Sequence, residues 1–444
     1  MRIKTCVRGL TLSAFAIVTL LSTPAAAPVE AAPMFRDGEP TAAACRAYGY
    51  NINDRGENDY RSRMSGGVVG MAPPSPYPPP PPPPPPPMAM PQVSNEATAP
   101  TMDARRAAPS SPPMISGLPY SQPPQQPLDT ERYPNATSNP IRRVADEPVS
   151  TFSIDVDTAA YSNVRRFIND GQRPPRDAVR VEELINYFDY GYARPESRRE
   201  PFRIYTAVAP SPWSDGRQII HIGVQGYDLP RTQQPPLNLV FLIDTSGSMY
   251  SADKLPLAIK ALNVLIDRLR PQDHVSIVAY AGSAGAVLAP TSGRDRLRMR
   301  CALGALQAGG STAGGQGLAL AYSLAQQNFQ AGAVNRVILM TDGDFNVGVA
   351  DPSRLKDFVA EKRSSGIYLS VYGFGRGNYN DVMMQTLAQN GNGVAGYIDS
   401  LEEARKAFRD DFTASLFPIA DDVKIQVEFN PAFVSEYRLI GYET

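Results

Sequence analysis

The chain has 444 residues, enough for two or three domains, but its 44 prolines are too many for one compact globule. Lys and Arg number 43 against 44 Asp and Glu, so the net charge of -1 gives no general attraction for nucleic acid or an anionic membrane. Only two histidines are present, His221 and His274, which argues against histidine-based catalysis and a histidine-rich metal site.

The start of the chain predicts an export signal over residues 1–27. Basic residues stand at positions 2, 4 and 8, an uncharged and mostly apolar run follows at 9–22, and small residues suited to signal peptidase stand at 25–27. The apolar run is shorter than the ~20 residues of a membrane-spanning helix, so an uncleaved anchor is the second interpretation. We therefore expect an exported protein that is periplasmic, part of the cell envelope or secreted.

Residues 28–147 predict a disordered, proline-rich linker, because they are low in complexity and poor in aliphatic side chains. An uninterrupted proline run at 78–87 is typical of a stiff polyproline II rod. We favour a spacer that holds the folded part away from an envelope surface. The alternative is a ligand for proline-recognising modules.

Two cysteines remain once the export signal is removed, Cys45 and Cys301. Cys45 lies in the predicted linker and Cys301 in a predicted helix. We expect both to be unpaired, and a disulfide between them is the alternative.

Residues 148–232 predict a small accessory α+β region packed on the domain that follows. A strand, two helices and an alternating stretch are expected in this order at 151–156, 159–169, 177–188 and 202–224. Thr158 is expected to cap the first helix. Helical spacing predicts that the buried face of this helix carries Tyr161, Val164, Phe167 and Ile168.

Residues 237–415 alternate strand and helix patterns, which predicts a doubly wound, mostly parallel α/β sheet. Strands are expected at 237–243, 275–280, 287–289, 337–340, 368–372 and 397–398. Helices are expected at 255–269, 297–306, 317–328, 355–363, 382–388 and 401–415. New strands at 424–429 and 437–440 predict that 416–444 begins a β-rich region, which we expect to be truncated.

Oxygen-bearing side chains follow several of these strands. Asp244, Ser246 and Ser248 come directly after the first buried strand, and alternate positions of a tight loop point to one side. Thr312 precedes a helix in a glycine-rich loop, and Asp342 follows the strand at 337–340. Loops at the carboxyl ends of parallel strands meet at one edge of the sheet. Hydroxyl and carboxylate oxygens there predict a site for a hard divalent cation.

These residues resemble the metal-ion-dependent adhesion site of von Willebrand factor type A domains. All five matching positions are present, and the resemblance covers 238–415. It implies that the two serines and the threonine contact the metal, while the aspartates often act through water. Residues 152–158 and 181–188 resemble the N-terminal region of bacterial secreted proteins of the YfbK type, and 422–442 resembles the start of their β-rich C-terminal region.

The charge balance of the predicted site favours binding over catalysis. Asp244 and Asp342 neutralise one Mg²⁺, while the hydroxyl ligands are neutral, so the metal stays electrophilic towards an acidic side chain of a partner. We expect Mg²⁺, or another divalent cation such as Mn²⁺ or Ca²⁺, and a protein partner that supplies a carboxylate. We expect envelope association, no nucleic acid and no small-molecule substrate. The function predicted is non-enzymatic adhesion or protein–protein interaction.

The sequence suggests two alternative functions. Asp155 and Asp157 follow a strand as the nucleophile and acid of aspartyl-phosphate phosphatases do, which suggests a hydrolase. Two helices and a proline-containing break follow instead of a parallel sheet, so we interpret this match as accidental. The second is a structural envelope protein whose type A domain holds no metal. The glycine-rich loops lack the Gly-Lys-Ser/Thr of a nucleotide site.

Overall fold

The computed structural model describes residues 2–5, 40–52, 130–135, 137–154, 156–311, 314–343, 345, 352–417, 419–420 and 423–443. The predicted proline run at 78–87 and most of the predicted export signal lie outside these residues. None of the helices described is long and apolar enough to cross a bilayer.

Short elements precede the central domain. In chain order they are β1 (Arg2–Thr5), α1 (Ala42–Ala47), β2 (Arg142–Arg143), β3 (Val149–Ser153), α2 (Ala159–Asn169), α3 (Val181–Asn186), β4 (Phe202–Pro210) and β5 (Gln218–Gly226). A 3₁₀ turn at Arg176–Ala178 precedes α3, so the helix predicted at 177–188 is shorter than expected. Strands β4 and β5 pair as an antiparallel hairpin.

The central domain alternates strands and helices, as the sequence pattern predicts. Its strands are β6 (Leu237–Asp244), β7 (His274–Tyr280), β8 (Ala284–Ser292), β9 (Val334–Thr341), β10 (Ile367–Phe374) and β11 (Ala395–Ile398). Its helices are α4 (Leu255–Ile266), α5 (Arg296–Gly304), α6 (Gly314–Gln327), α7 (Pro352–Ser364), α8 (Asp381–Asn390), α9 (Leu401–Arg405) and α10 (Phe412–Leu416). A π-helical turn at Lys406–Asp410 separates α9 from α10, where one continuous helix was expected.

The six strands form one mixed sheet in the order β11-β10-β9-β6-β7-β8. All pairs are parallel except β7 with the edge strand β8, which is antiparallel and longer than the three residues predicted. Alternate side chains of the inner strands enter two separate hydrophobic clusters, one on each face of the sheet. Every residue of β6 is buried, as expected for a strand covered by helices on both faces. The predicted doubly wound α/β fold is confirmed.

A smaller sheet joins distant parts of the chain. Strand β12 (Lys424–Glu428) pairs antiparallel with β3 on one side and with β1 on the other. Strand β13 (Glu436–Tyr437) pairs with β2. The accessory region and the C-terminal region are predicted as separate segments, but strands of one pair with strands of the other. Strand β1 lies within residues 1–27, the range predicted as an export signal. Most of that range is outside the described residues, so the signal stays a prediction.

The buried face of α2 differs from the predicted one. Ile168 is 62% exposed, whereas Ser162, Asn163 and Arg166 are buried. The hydroxyl of Ser162 donates to the Tyr397 carbonyl at 2.7 Å, so polar partners rather than apolar spacing select this face. Thr158 precedes the helix but makes no side-chain capping hydrogen bond, so that expectation was wrong.

Cys45 and Cys301 form a disulfide, which overturns the expectation that both are unpaired. The two residues are 256 positions apart in sequence, so no local pattern indicated their pairing. They meet because α1 packs against α5, where both cysteines are fully buried. The hydroxyl of Tyr50 also donates to the Val287 carbonyl at 2.8 Å. Part of the range predicted as linker is therefore folded onto the central domain.

Loss of this disulfide is expected to destabilise the protein. Cys301→Ser should lower the free energy of unfolding by about 2–4 kcal/mol, because the cross-link restricts the unfolded chain. Urea denaturation of the wild type and the variant measures the loss. Alkylation in denaturant without reductant, followed by mass spectrometry, is the check: modification of Cys45 in the wild type would contradict the pairing.

Candidate metal centre

Asp244 is the last residue of β6 and is completely buried at the carboxyl edge of the sheet. One carboxylate oxygen accepts the Ser246 amide hydrogen bond at 2.9 Å. The other accepts from the Tyr280 hydroxyl at 3.1 Å and the Thr341 hydroxyl at 3.0 Å. Burial raises the pKa of Asp244 to about 6, and the nearby charge of Asp342 adds to the rise. The neighbouring strands thus hold this carboxylate in one orientation.

A pair of serine hydroxyls lies beside this carboxylate in sequence. The Oγ atoms of Ser246 and Ser248 are 3.0 Å apart, at the start of a 3₁₀ turn over Gly247–Tyr250. Ser246 is buried and Ser248 is exposed. The two hydroxyls therefore lie where the protein interior meets the solvent, and both could be ligands of a metal.

The glycine-rich loop before α6 is tied to the Asp244 loop by two backbone hydrogen bonds. Gly247 N donates to Gly310 O at 3.0 Å, and Gly309 N donates to Thr245 O at 2.8 Å. These contacts bring the second predicted loop to the same edge of the sheet. Thr312 lies outside the residues described, so its place in the site stays a prediction.

The third loop follows β9 and carries Asp342, which is also completely buried. The Lys254 ammonium donates to Asp342 Oδ2 at 2.9 Å and to Asn378 Oδ1 at 3.0 Å. Gly343 has a φ of +105°, and a Cβ atom there would lie 2.4 Å from the Asn378 carbonyl oxygen. The loop therefore packs against residues 378–380 through a position that only glycine fits.

Three further residues, Tyr280, Thr341 and Lys254, contact the two aspartates and were not predicted as part of the site. Strand register offered a signal for the first, since Tyr280 ends β7 directly opposite Asp244. Thr341 ends β9 at the same edge and precedes Asp342. Lys254 carried no signal, because its approach to Asp342 depends on how the turn before α4 folds.

The donor set suits a hard cation. Asp244, Ser246, Ser248 and Asp342 supply carboxylate and hydroxyl oxygens, the ligand type that Mg²⁺ prefers. Within the described part of the chain, no three or more His, Cys, Asp and Glu side chains are grouped for a metal. Any metal bound here therefore depends on the hydroxyls as well as on the two aspartates.

Asp157, one of the two carboxylates that suggest a hydrolase, contacts a different part of the fold. Asp157 is buried and accepts the Ala395 amide hydrogen bond at 3.1 Å, which ties it to the start of β11. The preceding strand β3 belongs to the antiparallel sheet with β12, not to a parallel sheet built around it. Asp155 lies outside the residues described. The contact of Asp157 favours a structural role.

Comparisons with known proteins agree with this architecture. Residues 127–221 match the family model described as von Willebrand factor, 238–410 match the von Willebrand factor type A domain, and 414–444 match the C-terminal model of the uncharacterized protein YfbK. The uncharacterized protein YfbK of Escherichia coli is 46% identical over 320 residues, 71% of this chain and 56% of that protein.

Other relatives cover less. The uncharacterized protein sll0103 of Synechocystis is 31% identical over 175 residues, 39% of this chain and 40% of that protein. A von Willebrand factor type A structure from Catenulispora acidiphila is 22% identical, covers 51% of each chain and has a TM-score of 0.36. The chain thus spans 56% of the length of the E. coli relative and 40% of the Synechocystis relative. The chain therefore contains a von Willebrand factor type A domain, followed by a segment that matches the C-terminal model of YfbK.

Proposed function

We propose that this protein is a non-enzymatic binding module that is exported and captures a partner protein through one divalent cation. The cation, Mg²⁺ or a similar ion, would be held by Asp244, Ser246, Ser248, Thr312 and Asp342. The metal would supply an electrophilic position for a carboxylate of the partner. The protein's own residues orient the ligands and keep two carboxylates close together.

One observation carries this proposal: two completely buried aspartates and a pair of serine hydroxyls lie on loops that converge at the carboxyl edge of one sheet. Lys254 offsets the charge of Asp342, whereas the described contacts of Asp244 are amide and hydroxyl groups, and a buried carboxylate is costly without a cation. Burial is the main cause of the raised pKa of Asp244, and the nearby charge of Asp342 raises it further. A divalent cation would relieve both effects.

A thermal shift with metal tests the proposal. Mg²⁺ at about 100 times its dissociation constant should stabilise the folded state by about 2.7 kcal/mol, which raises Tm by several degrees. Asp244→Ala should abolish that rise, because it removes the carboxylate that anchors the loop. EDTA should return the wild type to its metal-free Tm.

Two further variants separate metal binding from fold damage. Asp244→Asn keeps the size and most hydrogen bonds of the side chain but lacks its charge, so it should also lose the Mg²⁺ response. Asp146→Ala alters an exposed carboxylate, with 71% of its side chain accessible, and should keep the full response. If the wild type ignores both Mg²⁺ and EDTA, the adhesion site is absent and a metal-free structural role is the better explanation.

A pull-down from a bacterial envelope extract tests capture itself. A partner that binds in Mg²⁺, is released by EDTA and is not retained by Asp244→Asn would support the proposed function. Equal capture in Mg²⁺ and in EDTA would contradict it.

A further inference from the structure

Lys254 reaches the candidate metal centre from the turn before α4. Its ammonium is buried and lies within hydrogen-bond distance of Asp342 Oδ2, at 2.9 Å, and of Asn378 Oδ1, at 3.0 Å. The described contacts of Asp244, in contrast, are with hydroxyl and amide groups. The Lys254 ammonium therefore pairs with Asp342, whereas the described contacts of Asp244 include no positive charge.

The fold provides space for this lysine. Its aliphatic stem crosses Gly375, where a Cβ atom would lie 2.2 Å from Lys254 Cγ. The neighbouring loop supplies the Asn378 oxygen and packs against Gly343. Ordering a long lysine side chain costs conformational entropy, so these contacts indicate a specific position rather than a chance surface pair.

We propose that the Lys254 ammonium offsets the charge of Asp342 in this centre and thereby weakens the binding of a divalent cation. An acidic ligand that binds the same centre restores the affinity for the cation. This inference rests on the proposed function. The two aspartates and the lysine sum to one negative charge, so a bound divalent cation leaves the centre with one excess positive charge. A ligand carboxylate cancels that excess. Metal and acidic ligand therefore bind cooperatively, and Lys254 sets the strength of the coupling.

Titration with Mn²⁺ as the probe tests the inference on the full chain. Isothermal titration calorimetry compares sodium acetate with sodium chloride at equal ionic strength. Acetate should raise the Mn²⁺ affinity of the wild type several-fold. Lys254→Met should bind Mn²⁺ about tenfold or more tightly in chloride, because a nearby positive charge is gone. Acetate should then add less than it adds to the wild type.

Matched variants guard against a general effect of charge or folding. Lys356→Met removes an exposed lysine of α7 and should leave the Mn²⁺ affinity unchanged. Gly375→Ala keeps the lysine in the chain but displaces it from its path, so it should also tighten Mn²⁺ binding. Gly377→Ala is its control, because Gly377 also has a positive φ, of +90°, but no atom within 4 Å of an added Cβ. The glycine pair decides the question if Lys254→Met does not fold.

The outcomes separate this inference from the proposed function. If the wild type binds Mn²⁺, Asp244→Asn does not, and removal or displacement of Lys254 leaves the affinity unchanged or lower, only the role of Lys254 is overturned. The role is also overturned if acetate strengthens binding equally in the wild type and Lys254→Met. If neither the wild type nor Lys254→Met binds Mn²⁺, both proposals fail.

Discussion

Arg180→Met is expected to lower the free energy of unfolding by about 3–5 kcal/mol, because it leaves two buried carboxylates without their cation. The Arg180 guanidinium, just before α3, forms ion pairs with Glu183 and with Asp381, the first residue of α8. Both carboxylates have only 2% of their side chain exposed. Glu183 also accepts the Ala160 amide hydrogen bond at 2.7 Å, so the cluster joins α2, α3 and α8. Chemical denaturation at pH 8 measures the loss.

The loss should depend on pH in a defined direction. Burial raises the pKa of Glu183 to about 7, above its ordinary value of 4.5. A carboxyl whose pKa is higher in the folded state binds more protons there than in the unfolded chain. Stability therefore falls as pH rises from about 4.5 to about 7. Without Arg180 the pKa rises further, so the gap between wild type and variant should be smaller at pH 5 than at pH 8.

An exposed ion pair provides the control. Arg194 pairs with Asp228, and their side chains are 61% and 46% exposed. Arg194→Met should therefore cost no more than about 1 kcal/mol, as exposed pairs usually do. The buried cluster does not stabilise the contact of α2, α3 and α8 if Arg180→Met and Arg194→Met lose equal free energy of unfolding. The same conclusion follows if the difference between wild type and Arg180→Met is equal at pH 5 and pH 8.

Gly343→Ala is expected to destabilise the protein by about 2–5 kcal/mol and to remove its response to Mg²⁺. The left-handed backbone, with φ +105°, is costly for alanine. The new Cβ would also lie 2.4 Å from the Asn378 oxygen and 2.5 Å from the Asn380 nitrogen, which are backbone atoms that cannot turn away. Asp342, one residue earlier, must shift if the loop moves. Urea denaturation and the Mg²⁺ thermal shift measure the two effects.

Gly332→Ala separates strain from crowding. Gly332 also has a positive φ, of +79°, but no atom lies within 4 Å of an added Cβ. This variant should lose only the ~1–2 kcal/mol of the unfavourable backbone conformation and should keep its Mg²⁺ response. If Gly343→Ala behaves like Gly332→Ala in both measurements, the close packing of the 341–343 loop does not hold the site in place.

The sequence determined the central domain and the location of its candidate site. Buried strands such as β6 are continuous apolar runs, and helices recur at amphipathic spacing, so the alternating order was readable before any contact was known. The location of the candidate metal site is predicted from the same strand pattern, because the carboxyl ends of parallel strands meet at one edge of the sheet. This rule predicts Asp244, Ser246, Ser248 and Asp342 as residues of the candidate site.

Only the tertiary structure decided the contacts made between distant segments. The disulfide of Cys45 with Cys301, the pairing of β12 with β3, and the ion pair of Lys254 with Asp342 each join residues with no local pattern that marks them as partners. The accessory helices show why periodicity fails there: α2 buries Arg166 against Glu131 and exposes Ile168. A buried charge is tolerated wherever a partner of opposite charge meets it, and the location of that partner is a property of the fold.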